Sequence, residues 1–363
     1  MTAEASAPIG LPGGPYDPPH ARVLALAAAK WAAQPISALA SLGVADVLAD
    51  GPRQVADIAA AVGAHAPSLH RCLRAAACVG VFEEQEDGRY GLTPMADCLR
   101  RDATTPIRNW VLMLTEGPMW DSFGKLTETV RSGRTAFEVA HGRPLFEHLD
   151  KDVAFRSVYE SAMGELTSEL AAELVTALDF SGYGTLVDLG GGDGELLGTL
   201  LAHAPDSRGV LVERPHVIEL ARERLARLGV AERVRCVAGD ATDEVPGGGD
   251  AYLIKNMLHC FDDDTALAVL RKVRAACRDD ARLFVIEAVV PPGNGFHWAK
   301  LIDIEMLADN DGRERREEEW RDLLERAGFT LERVLPATPP QSVLVAHPAP
   351  APASPPTPDS TPN

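Results

Sequence analysis

The run Val187-Asp188-Leu189-Gly190-Gly191-Gly192-Asp193-Gly194-Glu195 constrains this chain more than any other feature. An aliphatic strand signal at 185–189 runs into four glycines within five residues, and a helical pattern follows over 195–204. A strand that passes through bare backbone into a helix places a ligand crevice at its carboxyl end. The run is not the dinucleotide G-x-G-x-x-G. Counted from Gly190 the third glycine position is Glu195, and counted from Gly192 it is Leu197. Asp193 and Glu195 at the helix start disfavour a pyrophosphate and suit a cationic or hydroxyl-rich ligand.

Beyond this run, strand and helix patterns alternate. Residues 209–212, 234–238, 251–254 and 282–288 read as further buried strands, and 215–228, 265–277 and 317–327 as helices. Such alternation predicts an α/β fold with a mostly parallel, doubly wound sheet. Runs at 331–335 and 342–346, joined by a short Pro-rich link, predict a closing antiparallel hairpin.

The first half reads differently. Residues 23–48 carry apolar residues at helical spacing, two short amphipathic helices follow at 55–62 and 69–79, and a hairpin pattern flanks the polar turn 83–89. Helix, turn, helix and hairpin make a winged-helix pattern, which raises DNA binding. Charge argues against it: 50–100 holds 5 Arg against 7 Asp/Glu, and the expected wing carries Glu83, Glu84, Glu86 and Asp87. Those acids repel phosphate, so a packing or dimerisation module is the better reading. The chain then divides into a disordered 1–15, a helical module at 16–105, linking helices at 106–180, a sheet domain at 181–347 and a disordered Pro-rich tail at 348–363.

The whole chain has 35 Lys+Arg against 53 Asp+Glu, a formal charge of −18. This balance disfavours wrapping nucleic acid or docking on anionic lipid. No run in the sequence reads as the ~18–20 apolar residues of a membrane span. Six cysteines without a C-x-x-C pair fit neither a disulfide scaffold nor a metal site, so a reducing cytoplasm is expected.

Strand ends carry the remaining chemistry. Glu213 ends the second strand 23 residues after Gly190, where a carboxylate can take both hydroxyls of a ribose. Gly239-Asp240 ends the third, where an acid can accept from an adenine amino group. Lys255 ends the fourth, and His259 four residues on lies outside the sheet edge, in the place of a general base. Asp262-Asp263-Asp264 invites Mg²⁺, but directly precedes a helix, where aspartates cap and complement the dipole. Capping is expected, and no metal.

These residues together resemble class I S-adenosylmethionine-dependent methyltransferases, and among them the small-molecule O-methyltransferases, including plant caffeate enzymes and bacterial enzymes that tailor aromatic natural products. The likeness runs from about residue 20 to 347 and is most specific at 187–194, at Pro215-His216-Val217-Ile218-Glu219, at 253–263 and at 301–329. It implies a Rossmann-like methyltransferase sheet behind an N-terminal winged-helix-like dimerisation domain, a homodimer, and S-adenosyl-L-methionine as cofactor. By resemblance, Asp188, Gly190, Gly192, Glu213, Gly239, Asp240, Ala241 and Lys255 hold the cofactor. His259 is the base, and Glu287 and Glu314 are the acids that flank it. Met163, Met306 and Asn310 match acceptor-pocket positions, although the two methionines are equally suited to plain core packing.

Two departures stand out. Cys260-Phe261 follows the histidine where the family commonly has Asp-Trp, and Ala241-Thr242 follows the adenine acid where two large apolar residues are common. Some relatives perform hydroxylation, decarboxylation or pericyclic chemistry instead; His259 with both acids argues for retained methyl transfer. A winged-helix regulator with a nucleoside-binding domain is the remaining alternative.

Overall fold

The computed structural model describes residues 18–165 and 167–350. These form two compact units: one of the described residues up to 172 with 294–296 and 301–311, the other of 173–293, 297–300 and the described residues from 312 on.

The first unit is helical with one small hairpin. Helices Val55–Val62 and Ala66–Cys78 precede β1 (Phe82–Glu84) and β2 (Tyr90–Leu92), which pair antiparallel. Leu39, Val44, Ile58, Leu69, Leu73, Phe82 and Tyr90 meet in one core. The apolar stretch 23–48 is three helices rather than one: Pro19–Ala27, Lys30–Ser41 and Val44–Val47. Gly43, at φ 72°, makes the second break in a left-handed conformation open to glycine. Taken together, the first two helices span 23 residues, Pro19–Ser41, whose most apolar 18 residues have a mean hydropathy of 1.3, enough by length and composition alone to cross a membrane. The sequence reading of no such run is corrected on this point, because the alanines between the large side chains count as apolar.

The second unit carries β3 (Thr185–Leu189), β4 (Arg208–Glu213), β5 (Val234–Ala238), β6 (Ala251–Lys255), β7 (Arg282–Ala288), β8 (Phe329–Pro336) and β9 (Gln341–Pro348). They form one sheet in the order β5-β4-β3-β6-β7-β9-β8. The first five are parallel, and β9 pairs antiparallel with both β7 and β8. The order reverses at β3, so β3 and β6 diverge into their connections and leave a crevice at their carboxyl ends. Helix Asp263–Ala276 buries Ala266, Leu267, Val269, Leu270 and Val273 against a core that includes Tyr252, Ile254, Leu283 and Trp320.

One boundary and one element differ from expectation. Pro348 still lies in β9, opposite Phe329, instead of opening a tail. The rest of the expected disorder, at 1–15 and beyond Pro350, falls outside the described residues. Helix Trp298–Asp309 has no counterpart in the sequence reading. Trp298, Leu301, Ile304 and Leu307 stay exposed while Met306 and Ala308 are buried. Apolar residues on every face erase the helical period.

Candidate active site

The loop after β3 is shaped by glycine. Gly190, Gly192 and Gly194 have φ of 69°, 56° and 80°, a region L side chains rarely enter. A β-carbon on Gly191 would sit 2.9 Å from Asp188 Oδ2, so the loop backbone lies directly on that carboxylate. Asp188 is fully buried and neither of its oxygens has a hydrogen-bond partner. Burial pushes its pKa up to about 7, against the pull of Lys255. Lys255, at the end of β6, is pushed down by the same burial and held up by Asp188 and Glu287.

Glu213 ends β4 and braces this loop. Its Oε2 accepts from Gly192 N–H at 2.9 Å and its Oε1 from Arg214 N–H at 2.7 Å. Each carboxylate oxygen keeps a second lone pair for a hydroxyl. Gly239 N–H donates to Glu213 O at 3.0 Å, tying the end of β5 to the end of β4. Asp240 Oδ1 accepts from Thr242 N–H at 2.8 Å, and Ala241 is buried. Asp193 and Glu195, at the start of the following helix, also have a partner within the chain. Arg224 pairs with both, at 3.0 Å and 3.2 Å. The local sequence could not show this, because the cation arrives from another helix.

His259 sits in the turn Leu258–Cys260. The chain enters that turn through Asn256, at φ 48°, a left-handed position that asparagine tolerates better than most residues. His259 Nδ1 lies 2.7 Å from Glu314 Oε1 and 3.5 Å from Glu287 Oε2, and both glutamate side chains are fully buried. Glu287 Oε1 also accepts from the N–H groups of Met257, Leu258 and His259, at 3.0, 2.9 and 3.4 Å. Burial opposes the imidazolium, yet Glu287, Cys260 and Glu314 together hold the His259 pKa well above the ordinary histidine value. Burial pushes Glu287 up as well, with Glu314 adding to it and His259 opposing it. Ligand atoms of the three residues lie within 4.8 Å, close enough to surround an ion. At 2.7 Å the shortest pair already has hydrogen-bond geometry.

Asp262 caps its helix as expected, accepting from Thr265 N–H at 2.8 Å. Asp263 turns to Arg313 and Arg315, both at 2.9 Å. Sequence reasoning missed Gly312 and Arg315. A glycine directly before Arg313-Glu314 was the visible signal for the first; nothing local marked the second.

In the other unit, Asn310 Nδ2 lies 3.9 Å from Met306 Sδ, one helical turn apart. Met163, on helix Val153–Glu165, packs on a cluster of Met113, Met119, Phe137, Leu145, Leu149 and Ala162.

A glycine loop at the reversal point of a seven-stranded sheet, carboxylates at successive strand ends, and a reversed final strand define a class I methyltransferase. Residues 123–330 match the O-methyltransferase domain, and residues 24–102 the O-methyltransferase dimerisation domain. Phenazine O-methyltransferase PhzM of Lysobacter antibioticus is 37% identical over 318 residues, 88% of this chain and 93% of that one. The crystal structure of LaPhzM superposes with a TM-score of 0.87 at 36% identity, covering 92% of this chain and all of the other. NcsB1, an O-methyltransferase from neocarzinostatin biosynthesis solved with S-adenosylmethionine and 2-hydroxy-5-methyl naphthoic acid, gives a TM-score of 0.75 at 30% identity, over 88% of this chain and 96% of that one. The chain belongs to this O-methyltransferase family. It is an S-adenosylmethionine-dependent enzyme of the type that tailors bacterial natural products.

Proposed function

We propose that the enzyme methylates a hydroxyl, phenolic in our reading, of a small aromatic natural product or biosynthetic intermediate, with His259 as general base. The observation that carries this reading is the buried His259–Glu314–Glu287 cluster. With Nδ1 engaged by the acids, Nε2 is the nitrogen for a substrate proton. A phenol of pKa ~10 is mostly protonated at neutral pH, so a base that takes the proton as charge develops lowers the barrier. Two carboxylates stabilise the imidazolium that results and raise the strength of the base. Relatives acting on a phenazine and crystallised with a naphthoic acid support a fused-ring aromatic acceptor, and Met163, Met306 and Asn310 are our pocket residues for it.

The crevice residues fit the cofactor. Asp188 presents a buried carboxylate with no hydrogen-bond partner beneath the loop, and Gly192 leaves open space where a β-carbon would stand. Glu213 would take the ribose hydroxyls, Asp240 with Gly239 and Ala241 the adenine, and Lys255 would balance the buried charge. Bound there, the cofactor supplies a methyl group activated by its sulfonium. The protein then contributes proximity, alignment and the proton acceptor.

The net charge and the acids on the hairpin support a partner list without nucleic acid. The dimerisation-domain match supports a homodimer. Six free cysteines support a reducing cytoplasm. The test is a panel of hydroxylated aromatics incubated with the cofactor and read by mass. A gain of one methyl with matching S-adenosylhomocysteine is expected, and it should fall sharply in His259→Ala. Conversion of an acceptor without S-adenosylhomocysteine would overturn the reading in favour of non-methylating chemistry.

A further inference from the structure

The turn that carries His259 is held from two sides by groups of opposite charge. On one side Glu287 accepts from the N–H groups of Met257, Leu258 and His259. On the other, the carbonyls of the same turn point at a guanidinium. Arg315 Nη1 donates to Leu258 O at 3.1 Å, and Nη2 donates to Phe261 O at 2.9 Å. Leu258 thus gives its N–H to the anion and its carbonyl to the cation.

Arg315 is itself fixed in every direction. Its side chain has no exposure to solvent. Its Nε donates to Asp263 Oδ1 at 2.9 Å, and its Cζ lies 5.1 Å from the centroid of the buried Trp320 ring. Its backbone oxygen accepts from Val290 N–H at 3.0 Å, just past the strand that carries Glu287. Its neighbour in sequence is Glu314. One residue therefore ties together the histidine turn and the segments that carry both acids.

We propose that Arg315 is a positioning residue for methyl transfer, clamping the Leu258 and Phe261 carbonyls so that the His259 ring stays in register with Glu287 and Glu314. The inference rests on the general-base reading of His259. A buried charge is costly to keep unless its geometry is used. The geometry here is a fork: two carbonyls three residues apart and a carboxylate are met by one rigid plane. A lysine ammonium is a single point on a flexible stem and cannot span all three.

The experiment compares kcat, cofactor affinity and the pH dependence of kcat/KM in wild type, Arg315→Lys, Asp263→Asn and His259→Ala. Asp263 is half exposed, so its substitution loosens the clamp while leaving the arginine in place. The groups that set the His259 titration are Glu287, Glu314 and Cys260. A loosened turn draws His259 away from the two acids. The expected result is a loss of about 10²-fold in kcat for Arg315→Lys and a smaller loss for Asp263→Asn. Cofactor affinity should stay near wild type, and the acidic limb should move down toward the ordinary histidine value. A purely structural arginine would lower the melting temperature and leave that limb in place, and this result in both variants overturns the proposal. If Arg315→Lys does not fold, Asp263→Asn decides alone by the same limb. Wild-type rate and limb in His259→Ala would instead overturn the base reading, which separates the two failures.

Discussion

A β-carbon on Gly312 would lie 1.9 Å from the backbone oxygen of His259, and within 2.6 Å of the Cys260 and Phe261 backbone. Glu314, in the segment between two helices, can reach Nδ1 only because the chain two residues earlier passes against the histidine turn without a side chain. Backbone cannot yield as a flexible side chain does. Gly312→Ala should therefore displace the turn and lower kcat by about 10²-fold. Cofactor affinity by calorimetry should change little, because Glu213 and Asp240 hold other strands. An alanine variant with wild-type kcat would show that the turn tolerates the shift.

The His259 cluster predicts a direction for pH dependence. The histidine pKa is raised, so its protonated form persists above the ordinary value of 6.5. A protonated ring cannot accept a proton, and kcat/KM should rise with pH through a limb lying above 6.5. For stability the sign is the reverse. The charged cluster stabilises the fold fully below the unfolded histidine value and loses that contribution as pH rises through the folded one. Glu314→Gln removes a group that raises the histidine, so the rate limb should move down. Its loss in kcat should be smaller than the roughly 10²–10⁴-fold expected for His259→Ala. Because the acid acts through the ring, the double variant should be no worse than His259→Ala alone.

Much of this site was legible from sequence, for a local reason. The glycine run, Glu213, Asp240 and Lys255 stand at strand ends and His259 in the turn just past one, and buried strands announce themselves by short aliphatic runs. What stayed hidden depends on groups far apart in sequence. Arg224 pairs with Asp193 and Glu195 from the next helix, a contact that the local sequence does not announce. Gly312 and Arg315 act on a turn more than fifty residues earlier. Helix Trp298–Asp309 lacks a polar face, so no period marked it.

Asp188 gives a stability test independent of catalysis. Burial holds its folded pKa at about 7, above the unfolded value of 3.8. Its contribution is fully present below the unfolded value and is lost as pH rises toward 7. Between pH 5 and pH 7.5 the loss should be on the order of 2–3 kcal/mol. Asp188→Asn cannot ionise, so its urea-unfolding free energy should fall less over that interval. Parallel curves for the two proteins would mean that Asp188 is charged throughout, neutralised by Lys255.

Glu213 separates cofactor binding from loop structure. Glu213→Ala removes its hydroxyl acceptor and also frees the N–H groups of Gly192 and Arg214. Hydrogen bonds to a charged acceptor contribute about 1.5–3 kcal/mol each, so cofactor affinity should fall by at least tenfold. Calorimetric affinity equal to wild type would remove Glu213 from the ribose site.

The helices at the start of the described chain predict the assembly. Pro19–Ala27 has no buried residue, and Val23, Leu24 and Leu26 are 67%, 64% and 72% exposed. Trp31, on the next helix, is 70% exposed. Four large apolar side chains at this exposure make a patch that a lone soluble chain rarely leaves open. The partner expected to cover them is a second copy, since Leu24, Leu26 and Trp31 fall within the dimerisation-domain match at 24–102. Sedimentation of the wild type should give about twice the chain mass of 38.8 kDa. Leu24→Asp with Leu26→Asp puts two charges into that contact, where each must be desolvated without a partner. The variant should sediment as a monomer at micromolar concentration. Its sheet unit should still bind S-adenosylmethionine, because Glu213, Asp240 and the glycine loop belong to the other unit. A variant that stays dimeric places the contact elsewhere. In that case the exposed Trp31 and its neighbours would be expected to bind detergent or vesicles, as the length and hydropathy of Pro19–Ser41 permit, and flotation with liposomes separates these outcomes.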